Sequence, residues 1–289
     1  MLKSYVFDLP VDKDVIFTDY KGSYKKKIEK QQRDLIVKLP FIKPFLEPDE
    51  NILLITTGYS RMNTTDQILT AWLFIYLKRS LFVFTDKRIF HIPSTVNYGY
   101  RDSISQILFS ENQSVSLRGS TLVVHCGACG DQEKFIGIRG KERKKIQVIL
   151  NMVTCEEAEF QERYIPGIDR AHLCPHCTRT LTRGLYDCPN CKLTFKRKSI
   201  LRSLVPGFSY FYVRQRFLGI INIIMELILI GLLISFYLKF SQGAESTILP
   251  LMLFTGVYVF QKIAVMYHSN HFIDEFIPEI ENVKPLSTL

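Results

Sequence analysis

The sequence predicts an α+β multidomain protein. Its parts are a small β-barrel or bent sheet capped by a C-terminal helix, a cysteine ribbon, and two transmembrane α-helices. Three observations predict this. Short β-branched and aromatic runs alternate with polar or Gly-bearing turns between residues 45 and 160. Two cysteine pairs, Cys174-Pro-His-Cys177 and Cys188-Pro-Asn-Cys191, stand ten residues apart near the middle of the chain. Two apolar runs, 217–237 and 247–267, follow; each is about 20 residues, the length a helix needs to cross a bilayer.

Taken in order, residues 1–44 read as a charged N-terminal helical segment: an extended start, then a helix over roughly 21–37 rich in Lys25, Lys26, Lys27 and Lys30, stopped by Pro40 and Pro44. The start lacks an apolar core of signal-peptide length, so no secretory leader is expected. Strands are expected at 52–57, 80–85, 88–93, 103–110, 114–117, 121–125 and 133–138, with Asp86-Lys87 as a hairpin turn. From 140 to 160, Ile146, Ile149, Leu150 and Val153 fall at helical spacing and predict an amphipathic helix that closes the strands.

Within this stretch, Leu46-Glu-Pro-Asp-Glu-Asn-Ile52 leading into a strand, and Phe82-Val-Phe-Thr-Asp-Lys-Arg-Ile-Phe90, resemble the bacterial PH-like and GRAM-like domains over roughly 40–160. Those domains commonly carry a Thr-Asp-x-Arg hairpin followed by a later strand and a terminal helix. The segment between Gly58 and Leu77 is longer than that pattern. The resemblance implies a PH-like binding or scaffolding module at 45–160, with an unidentified protein or lipid ligand and no enzymatic activity. No cluster of phosphate-binding positions carries phosphoinositide binding over to this chain.

A C-x-x-C turn places two thiolates on one side of a backbone knuckle. Two knuckles a hairpin apart offer four soft ligands to one tetrahedral ion, and Zn²⁺ fits best. Cys174, Cys177, Cys188 and Cys191 are therefore expected to hold a structural zinc in a ribbon at 168–198, a segment that resembles the zinc ribbons of many bacterial membrane proteins. Four thiolates leave no open position for water or substrate, which excludes a catalytic role for the metal. His172 and His176 are bystanders on this reading. Cys126 and Cys129, between two strands with Gly127 and Gly130, read as a turn, with a redox or metal role the lesser option, and Cys155 as a small buried apolar residue.

The chain carries a net charge of +9, and between Arg170 and Arg216 ten Lys or Arg face one acid, Asp187, an equal excess. Lys196, Arg197, Lys198, Arg202, Arg214 and Arg216 lie just before the first apolar run. Positive charge there keeps a flank in the cytoplasm and attracts anionic headgroups. A nucleic-acid-binding ribbon using Arg179, Arg183 and Lys192 is the weaker alternative. In the juxtamembrane segment 199–216, Pro206-Gly207 with Phe208, Tyr210, Phe211 and Tyr212 partly resembles a Pro-Gly-x-Gly-x-x-Tyr lead-in to two-helix membrane hairpins of bacterial proteins, with Ser209 at the second Gly.

The hairpin at 217–267 would have both ends in the cytoplasm, since its loop holds only Lys239 and Glu245 as charges. Inside it, Asn222, Glu226 and Lys262 are polar groups at a costly depth. Either Glu226 and Lys262 pair, or Lys262 extends to the interface and Glu226 is protonated or satisfied in a homo-oligomer; a third option uses Glu226 in an oligomeric transport component. Residues 268–289 form an acidic tail. On a reducing cytoplasmic side, disulfides are not expected among the seven cysteines. No phosphate loop, H-E-x-x-H or nucleophile elbow occurs. These expectations describe a non-enzymatic adaptor or sensor in the bacterial cytoplasmic membrane.

Overall fold

The computed structural model describes residues 4–60, 78–95, 97–109, 113–126, 132–153, 170–182, 184–199, 201–281 and 283. Most of the long segment after Gly58, together with Cys129, Cys155, Arg183 and the end of the tail, lies outside them. The chain divides into two compact units, Met1–Thr194 with Ile280–Leu289, and Phe195–Glu279.

The first unit is mixed α and β. Its strands are β1 (Ser4–Val6), β2 (Leu9–Val11), β3 (Ile52–Tyr59), β4 (Arg79–Thr85), β5 (Arg88–Pro93), β6 (Ile104–Leu108), β7 (Gln113–Arg118), β8 (Thr121–Cys126), β9 (Gln132–Phe135) and β10 (Ala171–Leu173). Its helices are α1 (Lys13–Ile16), α2 (Lys26–Ile36) and α3 (Arg143–Val153). Seven strands form one sheet in the order β1-β2-β3-β4-β5-β6-β10, and β7-β8-β9 form a second. All neighbours are antiparallel except β2 and β3, which meet in parallel at Val11 and Ile52.

The strands that read as unbroken apolar runs do so because both faces of the large sheet are covered. On β4, Leu81 and Val83 enter one core while Phe82 and Phe84 enter another; on β5, Phe90 and Ile92 join the first and Ile89 the second. The first core is closed by the N-terminal elements through Val6, Leu9, Ile16, Phe17, Leu35 and Ile36. The second is closed by β8, β9 and α3 through Leu122, Val124, Phe135, Ile146, Ile149, Leu150 and Val153. The amphipathic pattern of α3 thus buries its stripe as expected. The two sheets join where the Tyr59 N–H donates to the Ile136 carbonyl at 2.9 Å. Gly137, at φ 77°, lets the Tyr59 ring lie where a Cβ would come within 2.3 Å of it.

One sequence expectation changes here. The N-terminal residues are not only an extended start and a helix: they add a β-hairpin to the sheet, and α2 begins at Lys26. Moreover, β3 meets β2 at one residue only, leaving the backbone of Ile55 without a strand partner on that side. The carboxamide of Gln32, buried on α2, takes the place of that partner. Its Nε2 donates to the Ile55 carbonyl and its Oε1 accepts from the Ile55 N–H, both at 2.9 Å. Gln32→Leu keeps the bulk and strands two buried backbone groups, so urea unfolding should register a loss of about 1–3 kcal/mol; an unchanged midpoint would refute this role.

The second unit is helical: α4 (Leu201–Leu204), α5 (Phe208–Tyr212), α6 (Arg216–Ser241) and α7 (Ile248–Ile273). Both α6 and α7 are long and apolar enough to cross a membrane. The acidic stretch after α7 folds back within this unit. Lys196 N–H donates to the Ile277 carbonyl at 2.9 Å, the Phe195 and Phe276 rings meet edge to face, and Lys198 pairs with Asp274 at 2.7 Å.

Candidate functional site

The four cysteines of the paired motif converge. The sulfur atoms of Cys174, Cys177, Cys188 and Cys191 all lie within 4.8 Å of one another, an arrangement that can hold a metal ion. Two near-identical knuckles make it. In the first, Cys174 N–H donates to the Arg179 carbonyl (2.8 Å) and Thr178 N–H to the Cys174 carbonyl (2.9 Å); in the second, Cys188 N–H donates to Leu193 (2.8 Å) and Lys192 N–H to Cys188 (3.0 Å). The residue after each second cysteine, Thr178 at φ 61° and Lys192 at φ 60°, takes the left-handed conformation that turns the chain back.

Burial pushes the Cys174 and Cys191 thiols up. It acts on Cys177 in the same direction, but the Arg179 N–H, Asn190 and the neighbouring thiols draw that group down to about 7. Four thiols packed this closely lose their protons most readily to a cation that replaces them.

The knuckles are built onto the large sheet. Cys174 directly follows β10, which pairs with β6 through Ala171–Gln106, His172–Ser105 and Leu173–Ile104. Leu181 N–H returns to the His172 carbonyl at 2.7 Å, and Leu173 belongs to the first core. Just before β10, Arg170 is buried between the sheets, 3.3 Å from Glu133 of β9 and 3.1 Å from Nδ1 of His91 on β5. A guanidinium has only donors to offer, so Nδ1 of this fully buried histidine accepts, and its Nε2–H points to Ser60 (2.9 Å) and Ser80 (3.1 Å). Sequence reasoning missed Arg170, His91 and Glu133 as a group. A single histidine in an apolar strand carries no local sign of partners this far away in the chain.

The Thr-Asp-Lys-Arg hairpin and the Glu-Pro-Asp-Glu-Asn segment prove to be two halves of one clasp. Glu50, fully buried, accepts from Thr85 Oγ1 at 2.7 Å, from Arg88 Nε at 3.0 Å and from Arg88 Nη2 at 2.6 Å. Arg88 also donates to Gln106 and to the Phe45 carbonyl. Asp86 receives the Asn51 N–H, and Lys87 bridges Glu47 and Asp49. Burial raises the Asp86 carboxyl above its usual range.

In the helical unit, Asn222, Glu226 and Lys262 come together. Lys262 Nζ lies 2.7 Å from Glu226 Oε2, and Asn222 Nδ2 donates to Glu226 Oε1 at 2.5 Å. Gln261, which the sequence reading passed over, donates to Asn222 Oδ1 at 3.0 Å; its place as an amide inside an apolar run was the available signal. Of the six cations leading into the first apolar run, Arg216 and Arg197 are exposed and Lys198 carries the Asp274 pair. Arg202 lies 3.6 Å over the Tyr212 ring, and Arg214 donates to the Pro278 carbonyl at 2.8 Å. Lys196 is buried, its ammonium over the same Tyr212 ring and bonded to the Tyr212 carbonyl.

No protein-family model and no curated protein matches the chain.

Proposed function

We propose that the protein is a membrane-integral, non-enzymatic adaptor or sensor. Its first unit is a PH-like module facing the cytoplasm of a bacterium, and it binds a protein or lipid ligand. Two sheets that share a core with a terminal helix support the PH-like reading, as does the clasp between the two motif segments. The cysteine cluster holds zinc, because a site made of four thiolates suits that ion and leaves it no reactive position. Four thiols kept ready for a metal also favour the reducing side of the membrane.

The observation that carries the reading is β10. The strand that delivers Cys174 is the last strand of the large sheet, so the metal cluster finishes the binding module and is not a separate active centre. Reporter fusions test the orientation: a fluorescent protein at the N-terminus should fluoresce and alkaline phosphatase there should be silent. Cross-linking from the surface of the first unit in intact membranes should then trap one defined ligand. An active phosphatase, or a purified protein that turns over a substrate, would overturn the proposal.

A further inference from the structure

By sequence alone, the segment before α6 is a basic, aromatic lead-in whose Phe208, Tyr210, Phe211 and Tyr212 suit the membrane interface. Its contacts trace a different path. Measured at 1.5 Å per residue from Phe217, where the apolar run begins, Gly219 lies about 3 Å in, Ile223 about 9 Å and Glu226 about 14 Å. The incoming chain starts outside: Arg197 N–H donates to the Tyr212 hydroxyl at 3.1 Å, and Arg202 covers the Tyr212 ring. Four residues past the turn, Phe211 packs on Gly219, where a Cβ would meet its ring at 2.7 Å. Between these, the chain is deep. Gly207 lies so close to Ile223 that a Cβ would fall 2.5 Å from Cγ1, and its φ of 68° makes the reversal. The carbonyls of Ser203 and Leu204 sit 3.0 and 3.2 Å from Lys262 Nζ, the same ammonium that pairs with Glu226.

We propose that residues 201–212 form a re-entrant loop inserted into the acyl chains of one leaflet beside α6 and α7. The charged pair of Lys262 and Glu226 holds this loop in place. Non-helical backbone at membrane depth persists only where its polar groups are satisfied by protein. Pro206 has no N–H to give to the end of α4, and Lys262 supplies the donors instead, its three protons divided among Glu226, Ser203 and Leu204. Both carboxylate oxygens of Glu226 are engaged by Lys262 and Asn222, which makes it a positioning residue. The loop leaves Leu201, Leu204, Val205 and Phe208 exposed beside α6, against which Gly207 and Phe211 pack and which itself exposes Phe217, Ile220 and Ile224. Acyl chains are the occupant that matches an apolar surface beside a membrane span.

The inference rests on the reading that α6 and α7 cross a bilayer. In the full chain, benzoylphenylalanine is placed at Val205, at Ile224 on the exposed face of α6, or at Arg197. Each protein is irradiated in phosphatidylethanolamine–phosphatidylglycerol vesicles whose lipid carries an alkyne-tagged acyl chain. Position 205 should label lipid as strongly as 224, and 197 should not. Labelling at 224 without 205 overturns the loop, as does cross-linking of 205 to a second copy of the chain. No labelling at either position overturns the membrane reading itself. Lys262→Met should abolish the 205 adduct while 224 keeps its own, and Lys262→Arg should restore it. A 205 adduct that survives Lys262→Met overturns the positioning role.

Discussion

Replacing Cys174 by serine, or stripping the metal with a chelator, is expected to unfold the ribbon and detach β10 from the large sheet. Structural zinc in small peptides contributes about 10–16 kcal/mol of apparent binding free energy, most of which appears as folding. Without the ion, the described residues tie the first knuckle to the sheet through Leu173, Leu181, the β10 pairing and the buried Arg170. Hydrogen exchange is the direct measure. Amides at 171–174 and 181 should lose protection together with those of β6 at 104–106, in step with metal content. Because the thiols must give up their protons to bind, the apparent metal affinity should fall as pH is lowered. Unchanged protection in the metal-free protein would sink the claim that the cluster completes the sheet.

Arg88→Met should be the most damaging substitution away from the cysteines. The Arg88 side chain is 9% exposed and Glu50 is fully buried, and the two are joined by a two-pronged contact of 2.6 and 3.0 Å. Such forked pairs are the strong ones, and removing one partner leaves a carboxylate in the core without a counter-charge. Losses of about 3–5 kcal/mol follow from breaking buried pairs. Glu50→Gln should cost less, because a neutral amide still accepts from Thr85. The double variant, Arg88→Met with Glu50→Leu, should recover part of the loss, since two apolar groups leave no orphaned charge. Urea unfolding in detergent of the wild type, Arg88→Met, Glu50→Leu and the double variant, followed by circular dichroism, gives the coupling. A single-variant loss within about 0.5 kcal/mol, the range of ordinary surface changes, would refute the clasp.

How much was legible depended on whether a signal was local. The alternation hidden inside Leu81–Phe84 and Ile89–Ile92 reads as strand because every side chain but His91 is apolar, although which core each one enters cannot be read from a run of that kind. The helical spacing of Ile146, Ile149, Leu150 and Val153, the cysteine spacing and the lengths of α6 and α7 were equally plain. What escaped were three-residue strands whose existence depends on distant partners. Ala171-His172-Leu173 has no pattern until β6 lies beside it, and Ser4–Val6 none until β2 turns back. The same holds for Gln32, which locally is one more polar residue on a charged helix. For Lys262 the sequence left two outcomes open; the contact with Glu226 decides for the pair, and its further acceptors, the carbonyls of residues 203 and 204, lie nearly sixty positions earlier in the chain.

The shared role of β10 has a consequence for a cell short of metal. While β10 is docked, it occupies the outer hydrogen-bonding row of β6. When the ribbon comes apart, that row opens on a strand buried on both faces, and an open edge of this kind is a template for another chain. Metal starvation would then be felt first as self-association of an otherwise folded module, before any general melting. A metal held by the four cysteines would, in that light, act as a guard on solubility.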